Sequence, residues 1–330
     1  MRRSPRVFRS LDEVPPDFGP SALTIGNFDG VHAGHRRILR RVKEVALERG
    51  LKASALTFNP HPSKVVAPAR APRLMTSPEQ RCAVMLEEGI EQVLILPFDR
   101  HVARLTPEQF VERVLVRKLG VRAVVLGHDF CFGYKQSGNV GILRDLGRKY
   151  GFTTEEVQAV TVRGRLASSS ALRQLIEAGR VAQAARLLER PYALEGEVVA
   201  GHGVGSKQTV PTLNLATQTE VLPATGVYVT RTRDLDAGRA WPSVTNIGHR
   251  PTFGDSQELS IETFLLEPLA GETPHRIRVE FLRRVRNERR FPDAPALKQQ
   301  ILRDAGVAQA YFRRLKKWTC RPDAQPDPVS

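Results

Sequence analysis

The stretch TIGNFDGVHAGH, from Thr24 to His35, joins a short apolar run to a basic pattern of helical period. It holds Gly26, Gly30 and Gly34, the carboxylate of Asp29, and His32 and His35 three residues apart. A strand entering a glycine-rich turn and then a helix directs backbone N–H groups and the helix dipole at the turn, where phosphate binds. Residues i and i+3 share a helix face, so both imidazoles can address one ligand. They can donate hydrogen bonds to a polyphosphate and to the charge that builds as pyrophosphate leaves. The plain structural alternative makes His32 a helix cap and His35 a core residue. The spacing is not the His-x-x-x-His of a helical zinc site.

Working outward, Leu23–Ile25 reads as the end of a strand. Ile38, Leu39, Val42, Val45, Ala46 and Leu47 then recur at helical spacing up to Gly50. KASALTF, QVLILPF and AVVLG read as further strands. Between them lie helices over Ser77–Glu88, with Ser77 as N-cap before Pro78, and over TPEQFVERVLVRKLG, opened by Thr106 and Pro107. Apolar strands alternating with helices predict a parallel sheet covered on both faces. SSSALRQLIEAGRVAQAARLLER reads as two helical pieces split at Gly179. Beyond Pro191 the pattern changes to short strands with frequent turns: ALEGEVVAG, GVYVTRTR, SVTNIG, LSIETFLL and HRIRVEFLRRV. These predict a sheet or barrel, followed by two helices near Pro295–Asp304 and Val307–Lys317. The expected organisation is a first domain over 1–186, a second over 187–318 and a mobile tail over 319–330.

The chain has 330 residues, 41% hydrophobic content and a formal net charge of +15. That composition suits two globular domains and anionic partners such as nucleic acid, anionic membrane or phosphorylated small molecules. The densest basic clusters, HRRILRRVK and RRVRNERR, have the plain reading of solvated faces. No apolar run approaches the ~20 residues of a membrane span, and MRRSPRVFRS has no apolar segment behind its charges. Cys82, Cys131 and Cys320 form no Cys-x-x-Cys pair, so neither a disulfide framework nor a zinc site is expected, and a cytoplasmic location is.

GNFDGVHAGH resembles the nucleotidylyltransferase signature with its His-x-Gly-His core. Its longer form is similar to that of prokaryotic bifunctional riboflavin kinases/FMN adenylyltransferases. TFNPHP (57–62), LPFD (96–99), VLGHDFCFG (125–133) and SSSALR (168–173) follow in the family's order. The resemblance covers about residues 7 to 317. It implies an α/β Rossmann-like nucleotidylyltransferase domain followed by an antiparallel β-barrel riboflavin kinase domain with terminal helices. His32 and His35 would grip the ATP phosphates. Gly26, Asn27, Phe28 and Asp29 of the turn, His61, Asp129, Ser169 and Arg173 would complete the ATP and FMN site. Arg173 could hold two phosphate oxygens in a fork. The plain reading of His61 is a turn histidine. Ser170 stands where the family commonly has Thr.

GHGVGSKQTVPTLNL, from Gly201 to Leu215, is a glycine-rich turn followed by an extended segment. It lacks Walker A spacing, and taken alone it reads as a hairpin connection. PTLN (211–214) resembles the Pro-Thr-Ala-Asn motif of riboflavin kinases, and NIGHRPTF (246–253) and IETFLL (261–266) resemble the next two motifs. The resemblance places Gly203, Gly205, Lys207 and Thr212 at ATP. Thr212 and Asn214 would arrange Mg²⁺, whose hard-ligand preference suits a hydroxyl and an amide oxygen. Glu262 would be the general base on the ribityl hydroxyl, against the plain reading of a salt-bridged strand residue. Val204, Thr209, Val210 and Leu213 depart from the family pattern, which bears on kinase rate and flavin affinity.

The activity implied is phosphorylation of riboflavin to FMN, then adenylylation of FMN to FAD with release of pyrophosphate. ATP is co-substrate of both steps, Mg²⁺ their cation, and riboflavin, FMN and ATP the partners. A homo-oligomer is compatible with the sequence; membrane and nucleic acid are not expected partners. Two rival readings are an adenylyltransferase whose C-terminal half only binds flavin, and a basic RNA-binding protein. The second lacks an aromatic stacking signature.

Overall fold

The computed structural model describes residues 6–199, 212–251, 257–269 and 271–319. The chain forms two compact units, Met1–Leu172 and Arg173–Ser330.

The first unit is built on β1 (Arg6–Phe8), β2 (Ser21–Ile25), β3 (Lys52–Asn59), β4 (Gln92–Pro97), β5 (Val121–Gly127) and, after two short strands, β8 (Thr153–Val157). All pairings are parallel, in the order β1-β4-β3-β2-β5-β8. The helices are α1 (Ala33–Arg49), α2 (Pro62–Val66), α3 (Pro78–Glu87), α4 (Pro107–Phe110) and α5 (Val140–Tyr150). The short antiparallel pairs are β6 (Cys131–Phe132) with β7 (Gly138–Asn139), and β9 (Thr161–Val162) with β10 (Arg165–Leu166). The chain winds outward from β2 through β3 to β4 and returns on the other side of β2 at β5. Strand order therefore reverses between β2 and β5, where open α/β sheets bind ligands beyond their carboxyl ends.

The strands have a two-residue period across the sheet. Leu23, Ile25, Leu56, Leu94, Leu96, Val124 and Leu126 join one core layer with Phe110, Leu115 and Phe152. Their neighbours Ala22, Ala53, Ala55, Val93, Ile95, Ala123 and Val125 join the other, with Leu39, Val42 and Val45 of α1 and Cys82 and Met85 of α3. Four alanines on this second face leave room for α1 to lie close over β2, β3 and β5, while α3 packs beside it on β4. Truncating a fully buried leucine such as Leu56 to Ala costs roughly 2–5 kcal/mol.

The expected caps form. Ser77 and Gln80 make a reciprocal capping box at α3, and Thr106 and Gln109 do the same at α4. The helix after Thr106 differs from expectation: from Val111 to Lys118 it winds with π spacing, closing with Leu119 N–H on the Val114 carbonyl.

In the second unit α7 (Val181–Leu188), which follows α6 (Ser169–Glu177), leads into a closed antiparallel barrel. Its strands are β11 (Tyr192–Val199), β12 (Thr212–Ala216), β13 (Gly226–Asp234), β14 (Ala240–Pro251), β15 (Gln257–Leu265) and β16 (Arg276–Asn287), in the order β11-β12-β15-β14-β13-β16. Closure comes from β16 pairing with both β11 and β13. Val227, Val229, Val244 and partly buried Phe264 pack with Ala308, Tyr311 and Phe312 of α8 (Ala294–Thr319), so these positions face outward beneath the helix. The alternate positions face the interior. There Thr263, Thr245, Thr230, Ser243 and Thr232 form one chain of hydroxyl contacts of 2.8 to 3.0 Å. These side chains satisfy one another's polar groups among buried apolar partners on the same face, Phe281 opposite Thr230, Val279 opposite Thr232 and Leu213 opposite Thr263.

The two expected C-terminal helices are a single one. Gly306 lies inside α8, where a glycine costs about 1 kcal/mol relative to alanine without breaking the helix. The contacts on either side hold it: buried Asp304 accepts from Arg286 Nε (3.0 Å) and Nη2 (2.8 Å), and Ala308 is buried against the barrel. By packing the chain divides at Leu172/Arg173, and α7 contacts β16 and β11. Residues 320–330, nearly all of the expected tail, lie outside the described residues.

The basic clusters are extensively paired. Arg36 and Arg40 both reach Glu88, and Arg41 binds Glu44, Glu48 and Glu155. In the second cluster Arg286 holds Asp304, and Arg284 donates to the Thr225 carbonyl and lies over the Tyr228 ring.

Candidate active sites

In the first unit the site grows from the carboxyl end of β2. The turn needs unusual backbone: Phe28, Gly30 and Val31 have φ of 51°, 81° and 39°. Positive φ is costly for a β-branched residue such as Val31, and such strain persists only where surrounding contacts fix it. Asp29 supplies one such contact. Its buried carboxylate accepts from the N–H groups of Met75 and Thr76 and from the Thr76 hydroxyl, at 3.0 to 3.1 Å. Gly30 N–H returns a bond to that hydroxyl, and a Cβ at Gly30 would lie 2.9 Å from Met75 Cε. Asp29 thus turns inward and holds the loop.

His32 is the N-cap of α1. Its Nδ1 accepts from His35 N–H at 3.4 Å, so in the neutral ring Nε2 carries the proton and donates. A Cβ at Gly34 would lie 3.1 Å from the His32 ring, so the glycine makes the space that the imidazole occupies. The His32 and His35 rings stack with centroids 3.7 Å apart, and the Phe28 ring meets His35 edge-on at 5.1 Å. Burial, together with neighbouring His32, holds the His35 pKa well below its ordinary value. His35 Nδ1 is buried and has no hydrogen-bond partner among the described residues. His32 is therefore a helix cap, and its ring and that of His35 stand together at the N-terminus of α1.

His61 follows the end of β3 and caps α2, its Nδ1 accepting from Ser63 N–H at 3.2 Å. Asp129 is exposed just past β5, within a turn closed by Phe130 N–H on the Gly127 carbonyl. Ser169, the first residue of α6, donates to the Asp29 carbonyl at 2.9 Å and so ties the helix to the glycine-rich turn. Arg173 stands one turn further along α6 and is half-buried. The carboxyl ends of β2, β3 and β5 thus each carry site residues named from the sequence. Sequence reasoning missed Thr76, which binds both Asp29 and Gly30, and Arg81. Arg81 occupies a core-facing position of α3 and is 1% exposed. A lone arginine in an apolar helix pattern was the available signal.

In the barrel the register places Asn214 of β12 opposite Glu262 of β15, and Glu262 opposite Asn246 of β14. Thr212 is two residues from Asn214, on the same face of β12. Thr212 lies opposite Phe264, and Asn246 lies two residues from Val244. The oxygen-bearing row is therefore on the outer face that α8 covers further along. Asn246 joins this row, although sequence reasoning gave it no role. Gly203, Gly205 and Lys207 lie outside the described residues. Hydroxyl, amide and carboxylate oxygens in this row form a hard donor set that suits Mg²⁺ accompanying a nucleotide.

Comparison with known proteins agrees with both halves. The family model for FAD synthetase matches residues 15–171, and that for riboflavin kinase matches residues 188–312. A Pseudomonas fluorescens protein described as bifunctional riboflavin kinase/FMN adenylyltransferase is 36% identical over 305 residues, 92% of this chain and 97% of that one. The Escherichia coli K12 protein of that description is 34% identical over 307 residues, covering 93% and 97%. A Streptococcus pneumoniae structure described as a macrolide-efflux protein superimposes with a TM-score of 0.79 at 25% identity, over 92% of this chain and 98% of that one. With both catalytic domains present in the same order as in these relatives, the chain belongs to the bifunctional riboflavin kinase/FMN adenylyltransferase family: it phosphorylates riboflavin to FMN and adenylylates FMN to FAD.

Proposed function

We propose that the two reactions use the two constellations described above. Adenylyl transfer takes place at the turn Gly26–His35. The observation that carries this reading is the stacked His32–His35 pair at the start of α1, at the β2/β5 strand-order reversal. The FMN phosphate oxygen attacks the α-phosphorus of ATP, the bond to the pyrophosphate oxygen breaks, and no protein nucleophile is needed. His32 donates from Nε2 to the departing phosphates, while the N–H groups at the start of α1 add the field of the helix terminus. Gly26, Asn27 and Phe28 shape the phosphate turn, and Asp29 and Ser169 hold it from within. Arg173 binds phosphate, and His61 and Asp129 border the nucleotide and flavin. By function the adenylyltransferase spans 1–186 and the kinase 187–318.

Phosphoryl transfer takes place at the oxygen-bearing row of the barrel. Thr212 and Asn214 would hold Mg²⁺, which when bound neutralises phosphate charge. Glu262 accepts the proton of the ribityl hydroxyl as it attacks the γ-phosphorus, and ADP leaves. Gly203, Gly205 and Lys207 surround the ATP phosphates. The setting is the cytoplasm; among the described residues no helix is long and apolar enough to cross a membrane.

Asn214→Ala tests the assignment. The variant should fail to make FMN from riboflavin but still convert supplied FMN to FAD. Equal loss of both activities in a folded variant contradicts two separate sites.

A further inference from the structure

Arg81 lies on α3, a helix that carries none of the residues assigned a role above, yet its guanidinium is buried beneath the phosphate turn. Nη1 donates to the Asn27 carbonyl at 2.6 Å and reaches the Thr57 hydroxyl at 3.5 Å. Nη2 donates to the Phe58 carbonyl at 3.4 Å. Thr57 Oγ1 also donates to the Asn27 carbonyl, at 3.2 Å. One side chain therefore joins the ends of two neighbouring strands: the turn after β2, and the segment of β3 that leads to His61.

The Asn27 contact has a directional consequence. Carbonyl and N–H point to opposite sides of a planar trans peptide. With the Asn27 oxygen drawn onto Arg81 and Thr57, the N–H of Phe28 is turned away from the buried guanidinium. Phe28 is also the first of the positive-φ residues in the turn. Asp29 clamps the other side of the same turn through Met75 and Thr76, three and two residues before α3 begins at Pro78. The turn is thus braced by a carboxylate and a guanidinium of opposite charge.

Nothing about packing alone calls for a cation here. Burial lowers the Arg81 pKa from its ordinary value, opposed by the charge of Asp29, and Nε is buried with no partner among the described residues. A buried charge with an orphaned donor opposes stability, so an apolar side chain of similar size would suit the core better. What the guanidinium alone provides is a rigid fork that can hold two carbonyls at once.

We propose that Arg81 is a positioning residue for adenylyl transfer, aligning the Asn27–Phe28 peptide of the phosphate turn and locking that turn to the strand end that carries His61. This rests on the assignment of the Gly26–His35 turn to the ATP phosphates. Arg81 acts through the turn and does not itself touch substrate.

The test compares Arg81→Met and Arg81→Lys with His32→Ala in the full-length protein. FMN adenylylation is measured well below the melting temperature, with inhibition by pyrophosphate and FMN affinity as separate readouts. Arg81→Met should lower kcat by about 10²-fold, the size expected when aligned donors are lost. It should weaken pyrophosphate inhibition while FMN affinity and riboflavin phosphorylation stay near wild type. Arg81→Lys, with one point donor in place of the fork, should fall between. A purely structural role predicts a shifted melting temperature with kcat and pyrophosphate inhibition within threefold of wild type, and that result overturns the proposal. If His32→Ala is inactive while Arg81→Met is normal, only the Arg81 role fails. If His32→Ala forms FAD normally, the assignment of the turn fails and the Arg81 role fails with it. Should Arg81→Met not fold, Arg81→Lys decides by the same readouts.

Discussion

The His32 and His35 rings lie face to face with their centroids 3.7 Å apart and their planes inclined by 21°. Two imidazolium cations at that distance would repel strongly. Burial, with His32 beside it, lowers the His35 pKa, so His35 is the ring that resists protonation.

The pH dependence of stability follows from this pair. The His35 pKa in the folded protein is well below 6.5, its ordinary value. Below about pH 6.5 the unfolded chain binds a proton that the folded chain refuses, so stability falls as pH drops, until the folded pKa is passed. His35→Gln removes this titration. Melting temperatures recorded from pH 7.5 downward should fall less steeply for the variant below about pH 6.5. Parallel curves for the two proteins would show that His35 titrates normally.

Glu262→Gln preserves size and hydrogen-bonding capacity but removes the basic oxygen. Riboflavin phosphorylation at saturating substrates should fall about 10²–10⁴-fold, with the melting temperature little changed. A salt-bridge role gives the opposite pattern, a shifted melting temperature and a turnover number within about threefold of wild type, far below the general-base effect.

Thr245 sits in the middle of the hydroxyl chain of the barrel, contacting Thr230 at 2.8 Å and Thr263 at 3.0 Å. Thr245→Val keeps the volume and strips both contacts, leaving buried hydroxyls short of partners. The expected destabilisation of the barrel is about 1–3 kcal/mol. Thr230 retains Ser243, so the effect should exceed that of Thr230→Ser, which keeps a hydroxyl in the chain. Equal stability of wild type and Thr245→Val by urea denaturation would mean the chain contributes nothing net.

Much of this architecture is legible in the residues, for identifiable reasons. The strands β2 to β5 are apolar on both faces because helices cover both, and Ser77-Pro78 and Thr106-Pro107 mark helix starts by cap chemistry that is local in sequence. Edge strands were harder to read. Arg6–Phe8 has three residues, and Thr153–Val157 is mostly polar because it pairs on one side only. Helix Val140–Tyr150 carries Gly141 and Gly147, which weaken its helical signal, and Gly306 divided α8 into two apparent helices. In the two candidate sites, local motifs exposed the Gly26–His35 turn and the PTLN and IETFLL segments. The inward turn of Asp29, the stapling by Arg81 and the position of Asn246 beside Glu262 all depend on long-range packing or strand register, which no local pattern encodes.

The most direct test of two chemistries on one chain follows both products in a single reaction. Riboflavin, ATP and Mg²⁺ are incubated with wild type and with His32→Ala, and FMN and FAD are separated by chromatography over time. Wild type should form FMN and then FAD. His32→Ala should form FMN at a near-normal rate and accumulate it, with FAD formation reduced roughly 10²–10³-fold. FAD appearing from His32→Ala at close to the wild-type rate would contradict the placement of adenylyl transfer at the Gly26–His35 turn.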